Sequence, residues 1–321
     1  MKSLKNIQLL FAAVLMAALT MTGCGVAYDM AADNEWRWGM FGGVEFVSPV
    51  KLKVGVAPFH DDVNLGAPDA GANMARLMGE ELAKDDRIVV VPSFEVASAI
   101  SAKGYSLPLT PKEAAEVGRD LGLNAVVIGS ISEVKQYQVR KGWRRLARVF
   151  TSQRQYVDAV LAVSAVDTMT GIVLVSRANT GEHDDGKGDG GYFETTAGPA
   201  APTQEAMEAS LDNALVEAYH RTLMGLGTLP FKAEVVSASG NSATINFGAD
   251  VGIKSGDEFV MLTVDSVITN TIGDTYYVMG APQAYLKVDS VSEYQAHLTV
   301  TDGYVDAGDI IQAGESKGLF F

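Results

Sequence analysis

Cysteine is all but missing from this sequence: Cys24 is the only one in 321 residues. A chain with one thiol near its start cannot be held by intrachain disulfides, even in an oxidising compartment. Basic residues are also scarce, 25 Lys and Arg against 39 Asp and Glu, for a formal charge of −14. That balance argues against general nucleic-acid binding, which depends on neutralising phosphates with Lys and Arg. Beyond residue 23 no apolar run is long enough to cross a membrane as a helix, so the body is read as working in water. The sequence shows no catalytic partner for His220 or His297, so no nucleophile is assigned.

What is present begins with a short cationic start, Lys2 and Lys5, followed by the apolar run Ile7 to Leu19, interrupted by Gln8. At about 13 residues that run is too short to span a bilayer and fits the centre of a signal peptide, residues 1–23. Thr22 and Gly23 then precede Cys24. This arrangement resembles a bacterial lipobox, with Met21 where Leu is usual. The resemblance implies cleavage before Cys24 and acylation of its thiol and new amino group. Several acyl chains at ~0.8 kcal/mol per buried methylene hold a protein stably on a bilayer. Gly25 and Val26 follow with no Asp, which in the lipoprotein sorting pattern implies the outer membrane, facing the periplasm. Removing the signal from 321 residues leaves 298, enough for two ordinary domains, at a formal charge of −16.

Residues 24–49 mix Gly with aromatics and lack periodicity. They read as a lipidated tether of at most ~85 Å at 3.3–3.6 Å per residue, with Trp36, Trp38 and Phe41 as side chains able to dock on a partner or at headgroups. From residue 50 strands and helices alternate. Val50, Leu52, Val54 and Val56 mark a strand, and Met74, Leu77, Met78 and Leu82 a helix over 71–86. "RIVVVPS" is a strand, and "SFEVASAISAKG" a helix with Ser93 as cap and Gly104 as stop. "TPKEAAEVGRDLGL" opens a helix with Pro111 after Thr110, and "NAVVIGSISEV" is a strand. Two long strands flank a basic run and turn at Thr168 to Gly171, and a helix capped by Thr203 closes the segment. After "GLGTLP" come paired short strands about turns, and "GIKSGDEF" and "YVDAGDII" share a Gly-Asp before an apolar strand. The expectation is an α/β (α+β) domain with a mixed sheet and flanking helices over 50–227, followed by a small all-β barrel-like domain over 228–321.

"NAVVIGSISEV", followed by a Val- and Leu-rich strand ending in "VDTMTG", resembles the CsgG-like group of outer-membrane lipoproteins over residues 50–226. That group includes the curli secretion channel, activators of penicillin-binding proteins, and the middle domain of FlgT. "VSASGNSATINFGADVGIKSGDEF" is similar to the C-terminal module of FlgT-type proteins. Both resemblances imply assembly, activation or docking rather than a reaction. A pore is not expected. A lipid-facing strand needs every second residue apolar, whereas one face of 133–141 carries Glu133, Lys135 and Lys141 and the other Gln136, Gln138 and Arg140.

"GEHDDGKG" at 181–188 has the spacing of a phosphate loop, but Gly188 stands where Ser or Thr should bind magnesium and its acids repel phosphate. It reads as an acidic solvated loop. The triplets His60-Asp61-Asp62 and His183-Asp184-Asp185 would suit Zn or Ca only if they converged, which underlies the alternative of a metal-dependent hydrolase. No catalytic residue, metal site or cofactor is assigned.

The strongest candidate is "RKGWRRLARVFTSQR", with six cations in the fifteen residues 140–154 of an acidic chain. Trp143, Arg144, Arg145 and Arg148 are the expected partner-binding residues, because Arg forks beside an aromatic suit interfaces. The partners expected are the bilayer through acylated Cys24 and an envelope protein complex or anionic glycan, with a self-associated ring as a variant and no nucleic acid.

Overall fold

The computed structural model describes residues 46–65, 69–141, 152–187, 202–269 and 275–314. The expected α/β (α+β) body with flanking helices, followed by a closed antiparallel barrel, is what it contains.

The body comprises β1 (Leu52–Val56), β2 (His60–Asp61), α1 (Ala70–Leu82), β3 (Ile88–Val91), α2 (Ser93–Lys103), α3 (Pro111–Asp120), β4 (Ala125–Lys141), β5 (Ser152–Asp167), β6 (Val173–Lys187) and α4 (Gln204–Gly227). Its sheet runs β3-β1-β4-β5-β6, with β2 also paired to β4. The pairs β1/β3, β1/β4 and β2/β4 are parallel, as crossover helices require, whereas β4/β5 and β5/β6 are antiparallel. Helices α2 and α3 cover one face, where Val96, Ile100, Ala114, Val117, Leu123, Val126 and Val166 form a buried cluster. Helix α4 packs along β5 and β6, and close approach there requires glycine: a Cβ on Gly181 would fall 2.0 Å from the Ser210 carbonyl oxygen.

Helix ends follow local chemistry. Thr110 Oγ1 accepts from Glu113 N while the Glu113 side chain returns to the Thr110 amide, a complete capping box with Pro111 at the first position. Thr203 caps α4 through Ala206 N at 3.2 Å, and Gly104 ends α2 with φ of 71°. Ser93 differs from expectation. It is the first helical residue of α2, Pro92 holds the cap position, and no side chain caps that end. Among the described residues no helix is long and apolar enough to cross a membrane.

The barrel comprises β7 (Lys232–Ser239), β8 (Ser242–Ile245), a 3-10 turn at Ala249–Val251, β9 (Glu258–Thr269), β10 (Thr275–Val291), β11 (Ala296–Asp302) and β12 (Ile310–Ala313). It closes in the order β10-β11-β8-β7-β12-β9. Phe231, Phe247 and Phe259 fill one end, with Phe231 edge-on to both others at 5.0 and 6.2 Å between ring centroids. The echoed Gly-Asp turns are equivalent: Gly256 and Gly308 both take positive φ, 96° and 94°.

Candidate partner-binding surface

Strands β4 and β5 pair from Ala125↔Asp167 out to Lys141↔Ser152, with one register shift between Ile131 and Glu133. Residues 142–151 connect the two strands. Trp143, Arg144, Arg145 and Arg148 belong to that connection and lie outside the described residues, as does Cys24. The described backbone brings Arg140, Lys141, Arg154 and Lys187 to the same end of the ribbon, since Arg154 pairs with Val139 on one side and Lys187 on the other. From Asn124 to Lys141 the strand advances roughly 55 Å at about 3.3 Å per residue.

One face of the ribbon carries an acidic band below that end. Register aligns Lys135, Asp158 and Glu182 in one row and Tyr137, Tyr156 and Asp184 in the next. Tyr137 and Tyr156 stack with centroids 5.6 Å apart and planes 19° from parallel. The Tyr137 hydroxyl donates to Glu182, and Lys135 pairs with Glu133. Burial raises the Tyr137 pKa, reinforced by the Glu182 hydrogen bond and nearby carboxylates. Asp158 is likewise raised, first by burial and then by Glu182. Its Oδ1 is enclosed and accepts no hydrogen bond.

The segment read as an acidic loop is mostly strand: β6 continues through Gly181 to Lys187. Pairing with β5 overrides its Gly- and Asp-rich composition, and Gly181 is needed to seat α4. Asn213 of α4 also donates to the Glu182 carbonyl at 2.8 Å.

The two His-Asp-Asp triplets do not meet. His60 is level with Ser130, Ala162 and Ala178 on successive strands, so His183 lies three strand spacings away, roughly 14 Å, and five residues further along. Asp61 is occupied locally, accepting from Val63 N at 3.1 Å and Leu65 N at 2.9 Å. Among the described residues no group of three or more His, Cys, Asp or Glu is placed to hold a metal ion.

The "VDTMTG" turn joins the body to the barrel. Asp167 Oδ1 accepts from Met169 N at 3.0 Å, and its Oδ2 accepts both Thr170 Oγ1 and Lys232 Nζ at 2.6 Å. Gly171 turns the chain with φ of 72°. Thr168 Oγ1 donates to the Leu123 carbonyl, while Asn124 Nδ2 donates to the Lys232 carbonyl at 2.8 Å and Asn124 Oδ1 accepts from Lys53 N at 2.8 Å. A second seam runs from Lys51 N to the Val251 carbonyl at 2.9 Å. Lys232 in "FKAEVV" carried no sequence signal of this role, because its partner is 65 residues away.

A cleft of about 470 Å³ opens where the segment before β1 meets the start of β9 and the end of β12, between Pro49, Val50, Lys254, Glu258, Phe259 and Gly314. Its turn amides are already committed, Gly256 N to Val288 O and Lys254 N to Asp257 Oδ2, both at 2.8 Å.

No protein-family model and no curated protein matches this chain. Solved structures give distant likenesses. The hypothetical protein CT253 from Chlamydia trachomatis is 11% identical with a TM-score of 0.36, covering 55% of this chain and 98% of that one. The lipoprotein GNA1162 from Neisseria meningitidis is 14% identical with a TM-score of 0.30, covering 42% and 84%. The PelC dodecamer subunit from Paraburkholderia phytofirmans is 16% identical with a TM-score of 0.29, covering 56% and 89%. The distant structural neighbours of this mixed α/β fold thus include a lipoprotein.

Proposed function

We propose that this chain is a lipid-anchored, periplasm-facing outer-membrane protein that docks on, assembles or activates an envelope machine and performs no chemistry of its own. Such a machine would be flagellar, pilus or secretion apparatus, or a cell-wall synthase. The observation that carries the reading is the pairing of β4 with β5, which continues past one register shift up to Lys141 and Ser152. It makes the Arg-rich run the connection at the end of a ribbon some 50 Å from the barrel seam. A charged, aromatic-bearing connection on a long stiff ribbon suits contact with an acidic protein surface or anionic glycan. The lipobox-like Cys24 supplies the address.

The test is made in cells on the full chain. Cys24→Ser should abolish acyl labelling and release the protein from the membrane fraction; unchanged labelling and sedimentation would refute the anchor. The triple change Arg144→Glu, Arg145→Glu, Arg148→Glu should remove the co-purifying envelope partner while the protein stays folded and membrane-bound. Retention of that partner would refute the basic run as the docking element.

A further inference from the structure

The three-stranded part of the body sheet, β4-β5-β6, is covered fully on one side only. Along β5, Val157, Ala159, Leu161, Val163 and Ala165 are buried on the side that carries α4. Helices α2 and α3 reach the other side only at its near end, where Val126 and Val166 join their cluster and Ile128 and Val173 pack against it. Beyond that end, register lines up Ser164 with Ser176, Ala162 with Ser130 and Ala178, and Val160 with Thr180, before the Asp158 and Tyr156 rows of the acidic band. No described element buries these rows: Ser176, Ala178 and Thr180 are exposed, and Val160, Ala162 and Ser164 are partly so.

The strip has the form of a seat for a second layer. Ser164 donates to Ser176 at 2.8 Å, so these hydroxyls serve one another, and Val160, Ala162 and Ala178 leave a low, smooth surface. A sheet face of this kind is stably buried by packing another layer on it, and on the opposite side of the same strands that layer is a helix. The outer two of the three strands are about 10 Å apart, and the five rows from Ser164 to Tyr156 run roughly 27 Å. A helix is about 10–12 Å across and spans that length in about 18 residues.

Charge decides what kind of helix fits. From Glu133 to Tyr137 this face holds Glu133, Asp158, Glu182 and Asp184 and a single cation, Lys135. Lys135 pairs with Glu133, while Asp158 Oδ1 accepts no hydrogen bond. The stacked rings of Tyr137 and Tyr156 add π surface that attracts cations.

We propose that this face docks a basic amphipathic helix of a partner protein, its small or apolar side chains on Val160, Ala162 and Ala178 and its Lys or Arg side chains at Asp158 and Glu182. A cation there offsets the repulsion from Glu182 that helps raise the Asp158 carboxyl. The surface is opposite in charge to the basic run at the ribbon end and stands whether or not that run docks anything.

The test uses the full chain extracted in detergent and, as probe, a helical peptide of about 18 residues whose contact stripe is Ala and Leu over one half and Lys over the other. A photo-cross-linking amino acid in place of Ala178 should attach this peptide, and no attachment would overturn the proposal. The same peptide with Glu for Lys should not bind; equal binding of the two would refute the charge argument without recourse to any variant of the protein. Asp158→Asn with Glu182→Gln should weaken the Lys peptide ~10-fold or more, as loss of close charge pairs does. Glu234→Gln with Asp302→Asn, the same change of charge on the exposed barrel wall, should leave binding within ~2-fold. Equal loss in both double variants would reduce binding to overall acidity and overturn the assignment. In cells, the cross-linker at 178 should join a protein segment carrying Lys or Arg at helical spacing. Adducts only to lipid, to glycan, to a second copy or to residues 188–201 of the same chain, or none at all, would overturn it.

Discussion

Removing the ammonium of Lys232 should cost more than any other single change at the seam between body and barrel. Its side chain is 9% exposed and that of Asp167 is 4% exposed, with Nζ 2.6 Å from Oδ2. Lys232→Met keeps most of the stem's packing but leaves a buried carboxylate with only Thr170 and the Met169 amide. Stranding one member of a buried pair costs about 3–5 kcal/mol. For a body of this size each kcal/mol moves Tm by about 2–4 °C, so a fall of at least ~6 °C is expected. Asp167→Asn alone should cost less, since an amide still caps the turn, although it leaves Lys232 unpaired. The double variant Asp167→Asn, Lys232→Met should recover at least half of the Lys232→Met loss, because neither charge is then left buried and alone. Urea titration read by circular dichroism measures all three. A Lys232→Met variant within ~1 kcal/mol of the parent, or a double variant no better than the sum of the singles, would refute the argument.

Two further outcomes follow from the ribbon. The Asp158 carboxyl is raised by burial and by Glu182, so its ionisation opposes folding: its contribution is most favourable below the ordinary carboxylate pKa and is lost as pH rises through the raised folded value. Asp158→Asn should therefore raise the urea midpoint relative to the parent at pH 7 but not at pH 3, and equal differences at both would contradict it. Gly181→Ala places a methyl against the Ser210 carbonyl and should cost about 1–3 kcal/mol as α4 is pushed off β6, seen as faster amide exchange over 206–215. Unchanged exchange there would show that the helix has slack.

Much of this fold is legible in local chemistry. The Thr110-Pro111 start, the Gly104 stop, the turn after Asp167 and the paired Gly-Asp turns are each decided by residues within a few positions of one another, and the structure places all four as read. Ser93 illustrates the margin, since a cap-forming residue beside a proline is displaced by one position. What pairing decides was not visible. Gly181 to Lys187 has a loop's composition, and only the register with β5 makes it strand. Tyr137 and Tyr156, 19 residues apart, stack because that register sets them side by side. Lys232 looks like any strand lysine until the turn at Asp167 folds against it. Of the candidate site, the basic run could be read as composition, but the acidic, tyrosine-bearing band beneath it could not, because its members come from three strands.

β12 lies between β7 and β9, although in the chain it comes after both. The first barrel strand must therefore wait, unpaired on one flank, until some seventy residues later its neighbour is available. Closure of the cylinder is accordingly a late, long-range event and an intrinsically slow one. Until the four residues of β12 pair, the cylinder has an open seam, an unpaired strand edge of the kind that invites pairing with another chain.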